Sequence, residues 1–239
     1  MLLKIAVENG IDHRSIAWAL DFPGSYADGP DASTAILTMP QAFLKYCDWV
    51  GTHPSGTWLQ DVGDFDVRLV ETQQTCYVNK QMDVVGENSP DGFEVGSFFR
   101  HDWKPLTQEE IQRGLLLFQW SRADLLAAVE GLSPAELDAA HPGQYWSIRG
   151  ILGHVAFAEW WYLERLALTD GRPFSALPHD PLEQLALTRD CLEQVFPGLA
   201  GSSQVSGVEG ELWSPRKLLR YALWHVRDHV RHIYQLRFG

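Results

Sequence analysis

Two segments of this chain begin alike, and each continues as an amphipathic helical pattern with histidines on its apolar side. One is WSIRGILGHVAFAEWWYLERL, which contains His154, and the other is WSPRKLLRYALWHVRDHVRHIYQL, which contains His225, His229 and His232. An i, i+4 spacing places His225 and His229 on the same face of a helix. Two imidazoles from one helix and one from another can occupy three positions of a metal site and leave a fourth open.

A second interpretation of the same histidines needs no metal. The H-x-x-x-H pattern is short and common, and imidazoles in a helix interface can be satisfied by hydrogen bonds alone. The metal hypothesis has one physical advantage, because a shared ion would satisfy one ring nitrogen of each imidazole at once. Asp228 or Glu159 could then accept a hydrogen bond from the other ring nitrogen. Nitrogen and oxygen ligands suit Zn, Ni, Fe or Mn about equally, so the identity of a divalent metal stays open.

Composition excludes several classes of function. The chain has 31 acidic and 19 basic residues and a formal net charge of -12, which opposes binding to nucleic acid or to anionic membranes. Its 3 cysteines form no C-x-x-C pair, so a disulfide framework is not expected. The sequence shows neither a signal-peptide pattern nor an apolar run long enough to cross a bilayer. We therefore expect a cytoplasmic protein with no membrane or nucleic-acid partner.

The first half, residues 1–105, has strand-like alternation and many turn signals. The runs LLKIAVE and SIAWALDF precede a helical segment, AILTMPQAFLKYCDWVG, with Ser33 or Thr34 as its cap. Pro40 lies in the first turns of that segment and predicts a late start or a kink. DFDVRLVETQQTCYV and FEVGSFFRHD are strand-like again, and NKQMDVVGENSPDG between them is a predicted loop. The pattern predicts an α+β domain, a small β-β-α-β-β sandwich.

The second half, residues 106–239, has helical periodicity. Thr107 and Glu110 form a T-x-x-E capping box at its start, and GSSQVSGVEGE before the last helix is a predicted flexible connection. Four amphipathic helices of this length predict an up-down four-helix bundle. The predicted helices are about 108–131, 147–169 with Ser147 as cap, 181–199 with Asp180 as cap, and 215–237 with Ser214 as cap.

The segment HRSIAWALDFPGSYADGPDASTAILTMPQAFLKYCDWV resembles the HicB-like family. Relatives in that family are small α+β modules, some of which are antitoxins that bind a protein partner. The resemblance implies a partner-binding domain over about the first half of the chain. The residues that carry it are Asp21, Pro23, Gly24, Ala27, Gly29 and Pro40.

The second half resembles the DinB-like superfamily of four-helix bundles. The resemblance is carried by Trp146 and Ser147 leading to His154, by Glu159, and by the histidine cluster of the last helix. In that family one histidine of the second helix and an H-x-x-x-H of the fourth supply three metal ligands. Carried over to this sequence, the ligands are His154, His225 and His229.

An alternative register departs from that assignment. Family helices often place a glutamine three residues after the second ligand, and here Gln235 follows His232 at that spacing rather than His229. In this register Asp228 and His232 would act with His154. Positions 225, 228, 229 and 232 share one broad helix face, so spacing alone does not choose between the two sets. We favour His225 and His229 because they form an intact H-x-x-x-H.

Two functions follow from these expectations. The DinB-like resemblance implies a metal-dependent transferase or isomerase that acts on small electrophiles with a low-molecular-weight thiol, as in relatives that use bacillithiol or mycothiol. Other relatives include the iron-binding bundle of ergothioneine-biosynthesis enzymes. The alternative is a non-catalytic scaffold, in which the bundle forms a homodimer and the HicB-like domain binds a partner.

Overall fold

The computed structural model describes residues 1–60, 62–86 and 89–239. The chain forms two compact units. The first consists of Met1–Lys104 and Val205–Lys217, and the second of Pro105–Gln204 and Leu218–Gly239. Residues 205–217 thus return to the first unit, whereas the sequence placed all of 106–239 in one helical domain. No helix among the described residues has the length and hydropathy of a membrane span.

The first unit is built on a four-stranded sheet. Its strands are β1 (Leu2–Ile11), β2 (Arg14–Ala19), β3 (Tyr26–Gly29) and β4 (Asp66–Gln74), in the order β3-β2-β1-β4. β1 and β4 are parallel, and the other neighbours are antiparallel. The crossover from β3 to β4 contains α1 (Ala32–Gly51), which buries Met39, Phe43 and Val50. The unit therefore has α+β character, as predicted.

The predicted β-β-α-β-β order is wrong, because a third strand precedes the helix. The segment PGSYADGPDAS predicts turns from its proline, glycine and aspartate residues, yet Tyr26–Gly29 pairs along β2, with Trp18 opposite Tyr26 and Ser15 opposite Gly29. Backbone pairing in the sheet outweighs local turn propensity there. The predicted cap of α1 is also displaced, since the side chain of Asp31 accepts from Thr34 N at 2.8 Å. Pro40 lies inside one unbroken helix.

A second, three-stranded sheet follows in the first unit, formed by β5 (Cys76–Val78), β6 (Val84–Val85) and β7 (Phe93–Val95). β6 lies within the predicted loop NKQMDVVGENSPDG, of which Glu87 and Asn88 lie outside the described residues. The predicted flexible connection before the last helix is instead a hairpin of β8 (Ser206–Val208) and β9 (Glu211–Trp213). Glu209 and Gly210, with φ of 51° and 79°, form its two-residue turn, as the primed turns of hairpins require.

The second unit is helical. Its helices are α2 (Gln108–Ala127), the short α3 (Pro134–Asp138), α4 (Ile148–Arg165), α5 (Pro181–Val195) and most of α6 (Pro215–Phe238). The Thr107–Glu110 capping box and the caps Ser147 and Asp180 are confirmed. The four long helices share one apolar core that consists of Leu125, Ala128, Ile148, Ile151, Leu152, Val155, Ala156, Leu185, Val226 and Ile233.

Candidate metal centre

Helices α4 and α6 bring three histidines together. Ser147 accepts a hydrogen bond from Gly150 N at 3.2 Å and fixes the start of α4, so that His154 falls at the end of the second turn. His225 and His229 lie one turn apart on α6, where the i, i+4 spacing directs both side chains to one side. Val155 of α4 and Val226 of α6 are fully buried in the shared core and hold the two helices at this level.

The three imidazoles converge through the same ring nitrogen. Nε2 of His225 lies 3.0 Å from Nε2 of His154 and 3.2 Å from Nε2 of His229. The candidate ligand atoms of all three residues lie within 4.8 Å of one another. Nitrogens bound to one ion at about 2.0–2.1 Å stand about 3–3.4 Å apart in tetrahedral or octahedral geometry. The two separations from His225 therefore match neighbouring ligands of one metal ion, and the 4.8 Å limit places the third histidine beside the same position.

Hydrogen bonding among the three histidines explains this arrangement less well. A neutral ring nitrogen carries either one hydrogen or one in-plane lone pair, so Nε2 of His225 cannot form good hydrogen bonds to both neighbours at once. Its Nδ1 is buried and has no hydrogen-bond partner among the described residues. A cation that accepts all three Nε2 lone pairs needs no such compromise. The donor set therefore fits a divalent metal, although His225 lacks the hydrogen-bonded carboxylate that commonly orients a metal-bound histidine.

The surroundings keep His154 and His225 neutral. Burial lowers the pKa of His154 from its ordinary value. Burial, followed by the neighbouring His229 and His154, lowers the pKa of His225 well below the ordinary value. Aromatic rings border His225, with centroids 6.1 Å away at Tyr162 and 5.9 Å away at Trp224. Neutral imidazoles present free lone pairs at neutral pH, which is the state that metal coordination requires.

The residues of the alternative register have other neighbours. Nε2 of His232 lies 2.9 Å from Oε1 of Gln144, and Asp228 accepts from Arg231 at 2.6 Å. Within residues 1–60, 62–86 and 89–239, one group of histidine, cysteine or acidic side chains is close enough to share a metal ion. It consists of His154, His225 and His229. The geometry therefore favours the H-x-x-x-H register over Asp228 and His232.

Glu159 does not have the role that the sequence suggested. Its carboxylate is fully buried, is paired with Arg122 and Arg189, and accepts from the Thr188 hydroxyl at 3.1 Å. Burial raises the pKa of Glu159, but the two arginines outweigh that effect and hold the pKa below its usual value. The expectation that it accepts from a ligand histidine is wrong, because an ionised carboxylate that faces α2 and α5 serves those helices instead.

Trp146 borders the site, and the sequence did not predict this contact. Its indole stacks on His154 with ring centroids 4.3 Å apart and planes 23° apart, and it meets His229 edge-on at 6.4 Å. A second tryptophan, Trp224, contacts His225. The available signal was the Trp-Ser start of α4, since a residue just before a helix cap commonly packs back on the first turns.

The depressed histidine pKa values predict an acid sensitivity of the metal-free protein. The unfolded chain binds protons near about pH 6.5, where the folded His154 and His225 still exclude them. Stability then rises with pH across this range and is lost as pH falls below about 6.5. We expect the slope of the unfolding free energy against pH, between about 5 and 6.5, to be shallower in His225→Gln than in wild type. Urea denaturation at several pH values measures it, and equal slopes would contradict the assigned pKa direction.

Comparison with known proteins gives a family match within the helical half of the chain. Residues 117–233, just under half of the chain, match the family model of the DinB superfamily. A solved structure, YfiT from Bacillus subtilis, is described as a probable metal-dependent hydrolase with an unusual four-helix bundle topology. It is 23% identical, with a TM-score of 0.42, and the match covers 55% of this chain and 87% of that chain. No curated protein matches the sequence.

Proposed function

We propose that this chain is a metal-dependent protein of the DinB type, in which His154, His225 and His229 bind one divalent ion through Nε2. The observation that carries the proposal is the convergence of three Nε2 atoms, two pairs of which are 3.0 and 3.2 Å apart. The DinB superfamily match over residues 117–233, which includes all three histidines, supports it. Three protein ligands leave a position for an external ligand, as in catalytic rather than structural sites.

Solvent exposure supports a working site rather than a sealed one. His225 is buried, whereas His154 and His229 are partly exposed. We infer that a small molecule reaches the cluster from the side of His154 and His229. The buried side is bordered by Tyr162 and Trp224. This combination of an apolar wall and an accessible face is expected of a site for a small substrate.

The reaction we propose is transfer or isomerisation on a small electrophile, with a low-molecular-weight thiol as cosubstrate. A bound divalent metal supplies Lewis acidity, which lowers the pKa of a thiol that ligates it. The protein contributes three neutral imidazoles that add no charge of their own, so the ion keeps its full positive charge for the incoming thiolate. His225 is buried beside Tyr162 and Trp224, and the lower local dielectric strengthens that attraction.

The thiol part of the proposal predicts a spectroscopic result. When the cobalt(II)-loaded protein is titrated with N-acetylcysteine, a sulfur-to-cobalt charge-transfer band should appear in the near ultraviolet. N-acetylserine, which differs only in the donor atom, should produce no such band. His154→Ala, treated in the same way, corrects for cobalt–thiol complexes formed in solution. A cobalt-loaded protein that gives no band with the thiol would overturn thiol ligation while leaving the metal site intact.

A further inference from the structure

Among the residues that the structure describes, none bonds to Nδ1 of His154, the contact that usually orients a metal-binding histidine. Such a ligand commonly donates its second ring nitrogen to a carboxylate, a carbonyl or a water, and this contact fixes the plane of the ring. The hydrogen bond that the described residues give His154 is the Nε2 contact with His225. Its Nδ1 receives no such support from the described side chains or backbone. Among the described residues, the restraint on rotation of the imidazole therefore comes from another kind of contact.

The indole of Trp146 provides a contact with the required geometry. It lies over the His154 ring at a centroid distance of 4.3 Å and an interplanar angle of 23°, and it forms a T-shaped pair with the ring of His229 at 6.4 Å. The Nε2 lone pair lies in the plane of the imidazole, so a stacking surface that fixes this plane also fixes the direction of the lone pair. Offset stacking between aromatic rings is favourable beyond the area that it buries.

The sequence of α4 makes room for this indole. A Cβ atom built at Gly150 would lie 3.2 Å from Cβ and 3.3 Å from Cδ1 of Trp146. Both distances are tighter than ordinary carbon contacts, so a side chain at position 150 would push Trp146 away by a few tenths of an ångström. At Gly153, which directly precedes His154, an added Cβ would meet only Pro181, at 3.8 Å. The two glycines of α4 thus differ in whether an added side chain would press on Trp146.

We propose that Trp146, seated in the space left by Gly150, is a positioning residue that sets the plane of His154 for metal binding. This inference rests on the proposed metal site, and it assigns to a stacked ring the orienting role that a hydrogen bond has in most such sites. Trp146 does not coordinate the metal. Its effect should therefore appear in the affinity and geometry of the bound ion.

The test is a cobalt(II) titration of the full chain followed by visible absorption, which reports coordination geometry. Trp146→Leu keeps an apolar side chain but loses the flat surface, and we expect cobalt affinity to fall by about tenfold to a hundredfold, the usual loss for an orienting partner. The absorption bands should also change in shape. Trp146→Phe retains a flat ring and should restore most of the affinity and the wild-type bands.

The two glycines provide a matched pair that keeps the tryptophan. Gly150→Ala and Gly153→Ala both gain helix propensity by the same substitution. Gly150→Ala should weaken cobalt binding severalfold and alter the bands, and Gly153→Ala should change neither. Wild-type binding together with unchanged affinity and spectrum in Trp146→Leu and Gly150→Ala would overturn the positioning role and leave the metal site standing. Absence of cobalt binding by the wild type would overturn both.

Discussion

Replacement of Glu159 with alanine is expected to lower the free energy of unfolding by about 3–5 kcal/mol, the usual cost of removing one partner of a buried ion pair. Arg122 and Arg189 would keep their charges in the interior of the second unit without an opposing carboxylate. Arg122 Nη1 also donates to Leu185 O at 2.9 Å, so the carboxylate is the centre of a network that joins α2, α4 and α5. Urea denaturation of the metal-free protein, followed by the helical circular dichroism signal, measures the loss.

A surface pair provides the control for Glu159. Glu109 and Arg113 also form a carboxylate–guanidinium pair, one helical turn apart, but both are exposed. Glu109→Ala should therefore change the unfolding free energy by no more than about 0.5 kcal/mol. A loss below about 1 kcal/mol in Glu159→Ala would show that the buried network contributes little beyond its apolar neighbours. The same result would contradict the role we assign to Glu159, which is to join α2, α4 and α5 through Arg122 and Arg189.

Replacement of any one of the three ligand histidines is expected to weaken zinc binding strongly. His154→Ala, His225→Ala and His229→Ala should each weaken zinc binding by more than about a hundredfold, because loss of a direct ligand exceeds the ten- to hundredfold cost of losing an orienting neighbour. His232→Ala should stay within about tenfold of wild type, the lower end of that cost, since its Nε2 faces Gln144 at 2.9 Å. Competition titration against a chromophoric chelator measures all four variants.

With Asp228→Ala added, this set of variants separates the two registers of α6. If His232→Ala and Asp228→Ala lose zinc while His225→Ala and His229→Ala retain it, the ligands are those of the alternative register, and the convergence of Nε2 atoms would have no functional meaning. Retention of zinc by His154→Ala would contradict both registers, because His154 is common to them. Thermal unfolding of each metal-free variant checks that loss of affinity is not loss of fold.

The helical half could be predicted closely because its signals are local. Thr107, Ser147 and Asp180 each satisfy the backbone amides of a first helical turn, and a polar side chain with that spacing is visible in the sequence. The convergence of His154 with His225 and His229 followed from helix periodicity together with the family resemblance. Which face of α6 meets α4 depends on packing of the whole bundle, so the register could not be chosen from spacing.

The parts that the sequence analysis missed depend on which segments pair or pack together, which local composition does not show. β3 exists because Tyr26–Gly29 pairs with β2, and its composition alone predicts turns. The β8–β9 hairpin turns at Glu209 and Gly210, a pair that lacks the asparagine or aspartate usual in such turns. The partners of Glu159 lie 37 and 30 residues away along the chain. The resemblance of the first half to HicB-like modules stays a prediction.

The most direct test of this account is the metal content of the full chain produced without an affinity tag. Elemental analysis after equilibrium dialysis against dilute zinc should give about one ion per chain, and acid or chelator should remove it. Bound zinc should raise the midpoint of thermal unfolding, since an ion held only by the folded state stabilises it. A protein that binds no divalent metal above background, with an unchanged unfolding midpoint, would contradict the metal centre and leave the three histidines as a feature of the bundle core.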